Sequence, residues 1–498
     1  MTYQLYWGDL HSHCSISYGH GSVEQALERA RQQLDFCSVT GHAFWPDMPT
    51  DRNQYAEIID YHNAGFKTLA ENWDRLLELQ TKGTKEGEFI AIPSYEWHSM
   101  HFGDHNVYAK TAELPLVGAE DLPGLRDVCR ESQAIAIPHH IGYAAGYRGI
   151  NWEEYRPELS PFVEVFSLHG CSVDDHSPYP MLHDMGPRDA GSTAEEGWRR
   201  GFRFGIVGGT DHHGAYPGSH GDGRMGVFAK ELTREAIWEA FLNRRVFAAT
   251  GDRIDARMFV DDAWIGETIK QPKTRQGIID VTAADAIDQV VLIKNGRVEA
   301  RFVCDPPPDP VGPFRLNITW GWGRKNELVS WENELSLSDG VIADLETCFS
   351  GQAVVAPKGI EELGESPDDM DLPHEVIEQT ERRVVWRSVT SGNLTMRHQT
   401  TQGLRLTVDA PLSATVSLMA NGNRYRHSLG ELLQGGRSHY MRGWLTEAIK
   451  VGPLTPLSEC QMQAEWTDGP EHDVDFYRLV VAQQNGQWAW LTPIWVER

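Results

Sequence analysis

The pattern of apolar and polar positions divides the chain into two parts at about residue 250. In the first part, short apolar runs alternate with segments of helical periodicity; the predicted strands are 34–40, 89–93, 134–138, 162–166 and 204–207. A helix is predicted after Ser22, which forms a capping box with Gln25, and another over 234–242. This alternation of strands and helices is typical of an α/β domain with a parallel sheet or barrel.

Beyond residue 252 the pattern changes to short strands separated by turns. Two Asn-Gly pairs, Asn295-Gly296 and Asn485-Gly486, predict β-hairpins. We therefore expect two domains: an α/β domain over 1–250 and an antiparallel, sandwich-like β domain over 251–498. A Pro-rich stretch at 305–310 and a run with nine acidic and no basic residues at 361–381 predict an insertion around 305–385, with the acidic run as a solvated loop.

Composition then excludes several classes of protein. The 498 residues carry a formal charge of −26, which repels nucleic acid and anionic lipid but tolerates a small anionic substrate in one cleft. No apolar run approaches the roughly 20 residues that span a bilayer, and the first residues do not resemble a signal peptide. The seven cysteines include no Cys-x-x-Cys pair. We expect a cytoplasmic protein with a small-molecule substrate and no nucleic-acid or membrane partner; the oligomeric state stays open.

Histidine is concentrated in the first part of the chain. Of 21 histidines, 16 lie within residues 1–220. Together with two carboxylates they follow successive predicted strands, at His11, His13, His42, Glu96, His105, His139, His140, Asp211 and His213. Because strand ends gather on one face of an α/β barrel, these side chains predict a transition-metal site there.

The order of these residues resembles that of the PHP (polymerase and histidinol phosphatase) superfamily of metallohydrolases. A fuller resemblance, to an uncharacterised bacterial family with a PHP-like barrel and a C-terminal β domain, rests on residues 7–13, 138–140, 209–213, 244–254 and 476–496. The resemblance implies a distorted (β/α)7 PHP-type barrel followed by an antiparallel β domain. It also implies two or three divalent ions, usually zinc, manganese or iron.

Carried over by position, the resemblance implies three groups of ligands. The first metal would be held by His11, His13, Glu96 and Asp211. A second metal would share Glu96 and bind His105 and one of His139 and His140, of which we favour His139. A third metal would bind His42 and His213, with His20 as an additional ligand. Two positions depart from the family pattern. Gly41 stands where many members have Asp, and Ser17-Tyr18-Gly19 stands where many have Ser-Asp-Gly.

The resemblance implies hydrolysis of a small phosphoester by a hydroxide that bridges two ions, with Glu96, Asp211 and His213 as the catalytic group. Further candidates for substrate contact are His140, Arg148, Glu164, His169 and Arg224. One alternative is a metallohydrolase of a carbon ester, amide or lactone, since the same activated water serves both reactions. The other is a non-catalytic metal-containing protein whose tryptophan-rich β half binds a glycan or a partner. We expect the β half to be structural.

Overall fold

The computed structural model describes residues 3–177, 179, 181–183, 185–305, 310–324, 327–352, 372–392 and 401–498. These residues form a mixed α/β protein with many strands and few helices. The helices are α1 (Val23–Arg31), α2 (Arg52–Gly83), α3 (Leu122–Glu131), α4 (Ala194–Arg199), α5 (Arg234–Leu242) and α6 (Leu429–Leu433). Within the described ranges, none of them is both long and apolar enough to cross a membrane.

The first part of the chain contributes twelve strands, β1 (Gln4–Asp9), β2 (Phe36–Cys37), β3 (Gly41–Phe44), β4 (Ile90–Ala91), β5 (Ser94–Trp97), β6 (His105–Ala109), β7 (Ala134–Pro138), β8 (Phe162–Ser167), β9 (Gly170–Cys171), β10 (Gly205–Gly208), β11 (Arg224–Ala229) and β12 (Val246–Ala249).

The second part contributes the remaining strands, β13 (Asp255–Val260), β14 (Ala263–Trp264), β15 (Thr268–Lys270), β16 (Arg275–Thr282), β17 (Ile287–Lys294), β18 (Arg297–Phe302), β19 (Phe314–Trp322), β20 (Leu328–Leu337), β21 (Val341–Cys348), β22 (His374–Gln379), β23 (Arg383–Ser391), β24 (Gln402–Asp409), β25 (Thr415–Ala420), β26 (Asn423–Ser428), β27 (Arg437–Tyr440), β28 (Glu447–Pro456), β29 (Gln461–Asp468), β30 (Val474–Gln483), β31 (Trp488–Leu491) and β32 (Ile494–Glu497).

The two helices predicted from periodicity are confirmed. In α1 the Ser22 hydroxyl accepts from the Gln25 backbone amide and the Gln25 side chain accepts from the Ser22 amide, so both halves of the capping box form. The apolar face of α1 is buried. Helix α5 spans the predicted residues and begins at Thr233, whose hydroxyl accepts from the Ala236 amide.

The predicted parallel barrel is not what the strands form. Strands β1, β2 and β4 are parallel neighbours, as are β3 with β5 and β8 with β10. However, β6 runs antiparallel to both β5 and β7, and β11 runs antiparallel to β1 and β12. Residues 98–104 alone join β5 to β6, and a connection that short cannot make a parallel crossover. The described strands of this part belong to three separate sheets rather than one closed sheet.

The second part is largely antiparallel, as predicted, and both Asn-Gly hairpins are confirmed. Asn295 and Gly296 have positive φ values of 52° and 77°, which suits the turn that joins β17 to β18. Two five-stranded sheets, β21-β24-β19-β28-β27 and β22-β23-β20-β25-β26, enclose a shared apolar core that includes Trp320, Trp331 and Trp386. These two sheets, here called the sandwich, bury these three tryptophans, whereas Trp444 in the second part is 88% exposed.

The range 305–385 needs a correction, because it is not simply an insertion. It contributes β19, β20, β21 and β22 to the sandwich. Of the acidic run predicted to be a loop, residues 361–371 lie outside the described residues, while His374–Gln379 is strand β22. Of the Pro-rich stretch, 306–309 also lies outside them.

One sheet of eleven strands runs through both parts of the chain. Its main path is β15-β32-β30-β31-β12-β11-β1-β2-β4, so β12 of the first part pairs with β31 near the C-terminus. Apolar cores cross the same boundary: Phe247 and Ala248 pack with residues of β30 and β31. The β1–β11 centre of this sheet carries one wall of the candidate site.

Candidate metal centre

Two chain segments at strand ends lie side by side at the centre of the site. His13 donates its backbone amide to the carbonyl of His212 (2.8 Å), and Asp211 donates to the carbonyl of His11 (2.7 Å). Both His11 and His13 therefore lie beside Asp211. Their imidazole Nε2 atoms are 3.3 Å and 3.0 Å from the same oxygen, Asp211 Oδ1, as expected for residues two apart on an extended strand.

Asp9 at the end of β1 fixes these two segments. Its Oδ1 accepts from the amides of His11 and Thr210, and its Oδ2 accepts from the Thr210 hydroxyl and the Gly218 amide. Four hydrogen bonds satisfy the carboxylate, which is fully buried. Burial nevertheless raises the pKa of Asp9. Sequence analysis did not identify this supporting carboxylate, although it lies only two residues before His11.

Glu96 in β5 lies among imidazole rings. Five of them surround its carboxylate, with nitrogen–oxygen distances from Oε2 of 3.0 Å to His42, 3.4 Å to His13 and 3.7 Å to His11, and from Oε1 of 3.1 Å to His139 and 3.3 Å to His98. The two oxygens therefore face different sets of rings. A carboxylate shared by two cations has this arrangement.

Hydrogen bonds at the outer nitrogen fix the tautomers of three imidazoles. Because carboxylates and carbonyls only accept, Nδ1–H of His11 must donate to Glu164 Oε2 (2.9 Å) and Nδ1–H of His213 to the Asp211 carbonyl (2.9 Å). His13 likewise donates from Nδ1 to the Thr40 carbonyl. In each neutral ring the lone pair then belongs to Nε2, the atom that faces the centre.

These inner nitrogens lie close to a carboxylate oxygen and to each other. The Nε2 of His13 faces the Asp211 carboxylate, and the Nε2 atoms of His42 and His213 are 3.2 Å apart. Donor atoms about 2.1 Å from one ion at 90–110° are separated by roughly 3.0–3.4 Å, which matches these spacings. Sets that could hold an ion include His11 with His13 and Asp211; His11 with Glu96 and His139; and His13 with His42 and His213. The residues therefore fit divalent metal ions.

The charges of the site keep Glu96 and Asp211 ionised. Burial alone would raise the pKa of Glu96, but the surrounding His98, His42 and His139 lower it well below its usual value. Burial lowers the pKa of His42 and of His213 well below the usual value, whereas for His11 the nearby Asp211 and Glu164 outweigh burial and raise the pKa. Ionised carboxylates and neutral imidazoles are the protonation states that ligate metals.

Two predicted ligands have other described contacts. The Nδ1 of His105 donates to the Gly103 carbonyl (2.9 Å), and its ring lies 5.9 Å from that of Trp97. The Nε2 of His20 is buried and has no hydrogen-bond partner among the described residues; its backbone amide donates to the carbonyl of His213 (2.7 Å). Ligation by His20 and by His105 stays a prediction.

Asp104 and His98 are two further buried residues of the cluster that sequence analysis did not name as ligands. Asp104 is fully buried, and its Oδ2 is 3.3 Å from both His98 Nδ1 and His140 Nε2. His139 contacts Glu96, while His140 turns toward Asp104, so the two neighbouring histidines serve different carboxylates. The sequence signal for Asp104 was its position one residue before His105 in a tight turn.

The candidates for substrate contact divide into two groups. Glu164 and His169 lie in the cluster. Glu164 accepts a hydrogen bond from His11 Nδ1, and the Nε2 of His169 is 3.0 Å from Asp211 Oδ2. Arg148 is paired with Asp104 through Nε (2.7 Å) and stacks 5.1 Å from the Trp45 ring. Arg224 is fully buried away from the cluster, where it donates to the Gly218 carbonyl.

Three residues in or beside the cluster have positive φ angles. His140, Arg148 and Asp211 have φ values of 31°, 69° and 55°, in a region that side chains other than glycine seldom adopt. Each such residue costs on the order of 1–3 kcal/mol and persists where the surrounding structure requires it. The strain supports a functional role for this cluster.

Comparison with known proteins gives a family segment and distant relatives. Residues 217–286 match a family described as a protein of unknown function, DUF3604. An uncharacterized protein of Chlamydia pneumoniae is 23% identical over 260 residues, which are 47% of this chain and 41% of that protein. An uncharacterized protein of Chlamydia trachomatis is 26% identical over 290 residues, which are 53% of this chain and 42% of that protein. A third, from Chlamydia muridarum, is 23% identical over 330 residues, 60% of this chain and 49% of its own. The chain thus spans less than half the length of these relatives.

A solved structure with a partial likeness is a two-domain protein from Bacteroides vulgatus that contains a predicted PHP-like metal-dependent phosphoesterase. It is 16% identical, has a TM-score of 0.33, and covers 60% of this chain and 85% of its own. A similarity this low carries no argument about the present site, which rests on its own geometry.

Proposed function

We propose that this protein is a metal-dependent hydrolase that cleaves a phosphoester of a small molecule at the cluster around Glu96 and Asp211. The observation that carries the proposal is the set of buried imidazole Nε2 atoms that lie 3.0–3.3 Å from a carboxylate oxygen or from each other. The proposed ligands are His11, His13, His42, Glu96, His139, Asp211 and His213.

Divalent ions bound there would lower the pKa of a coordinated water and stabilise charge on the substrate oxygen. Side chains of the protein would supply charge balance and proton transfer. Glu96 would help to hold ions on both of its sides and offset their charge, because each of its oxygens faces a different set of rings. Asp211 would accept a proton from the attacking water, and His169, 3.0 Å from its Oδ2, orients this carboxylate.

Hydrolysis of a carbon ester, amide or lactone is a second candidate, favoured by a specific observation. Both arginines predicted to bind a substrate anion are already engaged, Arg148 by Asp104 and Arg224 by the Gly218 carbonyl. A neutral substrate needs no such cation.

Metal analysis followed by a substrate panel tests both candidates. We expect at least two transition-metal ions per chain after growth in supplemented medium. The loaded protein is then assayed with aryl phosphates, aryl esters and lactones under one set of conditions, with Glu96→Gln as the inactive control. Turnover of the phosphates supports the first candidate and turnover of the esters or lactones the second. Less than one ion per chain contradicts the metal-dependent function altogether.

A further inference from the structure

The loop from Cys14 to Gly21, which follows the His-x-His pair, is fitted against two of the proposed ligands. The Ser17 hydroxyl accepts from the backbone amide of His42 (3.1 Å), and His20 donates its amide to the carbonyl of His213 (2.7 Å). A Cβ on Gly19 would lie 2.9 Å from that same carbonyl oxygen, and its φ of 141° suits glycine. The loop thus holds the backbone of both histidines.

Tyr18, at the centre of this loop, covers the same two imidazoles with its ring. Its ring centroid lies 3.6 Å from that of His42, and it is stacked 5.9 Å from His213 with an interplanar angle of 18°. At 3.6 Å the two rings are in van der Waals contact. The tyrosine therefore limits rotation of His42 about its side-chain bonds.

Helix α2 is shaped to receive this ring. A Cβ on Gly65 would lie 2.5 Å from Tyr18 Cδ1, so any larger residue there would displace the tyrosine. A glycine inside a helix lowers helix stability by about 1 kcal/mol relative to alanine. The space left by the missing side chain of Gly65, here called the Gly65 notch, is therefore present at a cost to the helix. Tyr61 and His62 of α2 contact the ring from the side, each with a centroid separation of 5.1 Å.

We propose that Tyr18 is a positioning residue for an ion held by His13, His42 and His213. Its ring, clamped between His42 and the Gly65 notch, keeps the His42 Nε2 directed at His213 Nε2, 3.2 Å away. The contribution is made by the ring and not by the phenol hydroxyl. This inference rests on the proposed metal-dependent function and adds a residue that does not itself ligate the ion.

Titration of the metal-free protein with Co²⁺, followed by visible absorption, tests the proposal. The His42→Ala variant first identifies the absorption that belongs to this ion. Removal of a group that orients a ligand typically lowers metal affinity 10–100-fold, so Tyr18→Ala is expected to weaken this ion by that factor and change its spectrum. Tyr18→Phe keeps the ring and is expected to titrate as wild type.

Two further variants separate positioning from general destabilisation. Gly65→Ala improves helix propensity but displaces the Tyr18 ring, so we expect weaker Co²⁺ binding without loss of helix by circular dichroism. Tyr61→Ala removes a ring that meets the edge of Tyr18 and leaves the contact between Tyr18 and His42 in place, and it is expected to bind Co²⁺ as wild type.

The outcomes distinguish this proposal from the function on which it rests. Wild-type affinity in Tyr18→Ala, or loss of affinity in Tyr18→Phe, overturns the role of the ring while leaving the metal centre in place. Failure of the wild-type protein to bind Co²⁺ at all overturns the metal-dependent function, and this proposal with it.

Discussion

Glu96 is the residue on which the candidate centre depends most. Its two oxygens contact different imidazoles, His42 on one side and His139 on the other. Each histidine ligand serves one ion and leaves other ligands behind, whereas loss of Glu96 affects both sets at once.

Replacement of Glu96 by Gln is therefore expected to be the most damaging single change. The amide keeps the volume but removes the negative charge that offsets two dications. We expect turnover to fall by about a thousandfold or more, equivalent to about 4 kcal/mol of transition-state stabilisation. Metal content and turnover are measured together on the substrate found by the panel. His20→Ala, as the comparison, should cost much less. Retention of the ions with near-normal turnover in Glu96→Gln would remove the bridging role.

Glu164 is not one of the proposed ligands and influences metal binding by fixing the tautomer of His11. Its carboxylate holds the Nδ1 proton, which leaves Nε2 of His11 free to ligate. Glu164→Ala is expected to weaken metal binding 10–100-fold, and Glu164→Gln less, because an amide oxygen still accepts this hydrogen bond. Competition with a chelator measures the affinity.

Glu195 provides a matched control for Glu164, since both are 3% exposed. It pairs with Arg478 and Arg199. Glu195→Gln should lower the melting temperature but leave metal affinity unchanged. Equal losses of metal affinity in both variants would show that burial, rather than orientation of His11, is responsible.

At the scale of elements, sequence predicts the parts that depend on local periodicity. The capping box of α1, helix α5 and both Asn-Gly hairpins follow from residues close in the chain. The pairing of β5 with β6 does not, because periodicity gives no direction to a strand. The antiparallel pairing of β5 with β6 places Asp104 beside His98 and His140, while His105 contacts Gly103.

The same limit applies to the joint at which the sandwich meets the loop that carries Asp211 and His213. Asp252 is fully buried there and accepts from side chains of three distant segments, namely His220, Arg405, Gln483 and Asn485. No sequence spacing connects these residues. The joint fixes the far end of the metal-carrying loop to β24 and to the β30–β31 hairpin.

Asp252→Asn is expected to destabilise the protein by up to about 3 kcal/mol, because the buried Arg405 loses one of its two carboxylate partners and keeps only Glu346. Denaturant unfolding of the metal-saturated protein measures the change. Asp255→Asn breaks a partly exposed pair with Arg257 and should cost no more than about 1 kcal/mol. Similar losses in both variants would contradict the structural importance of the joint.

At the scale of the whole molecule, the boundary near residue 250 predicted from sequence is a change of pattern within a continuous sheet. Strand β12 pairs with β31, and Phe247 packs with residues of the second part. The sandwich is attached differently. Leu457 donates its amide to the Pro313 carbonyl (2.9 Å), so the chain enters and leaves the sandwich at one point.

This difference predicts opposite outcomes for two shortened chains. A chain ending at residue 250 loses β31, exposes the edge of β12 and uncovers apolar core residues, and we expect it to aggregate. A chain in which Pro313 is joined to Leu457, without 314–456, keeps the eleven-stranded sheet and the metal ligands. It should remain soluble and bind metal with a lower melting temperature, because Asp252 loses Arg405. Size-exclusion chromatography, near-ultraviolet circular dichroism and metal analysis of both chains measure the contrast. A soluble, metal-binding chain ending at residue 250 would instead establish the first part as an independent domain.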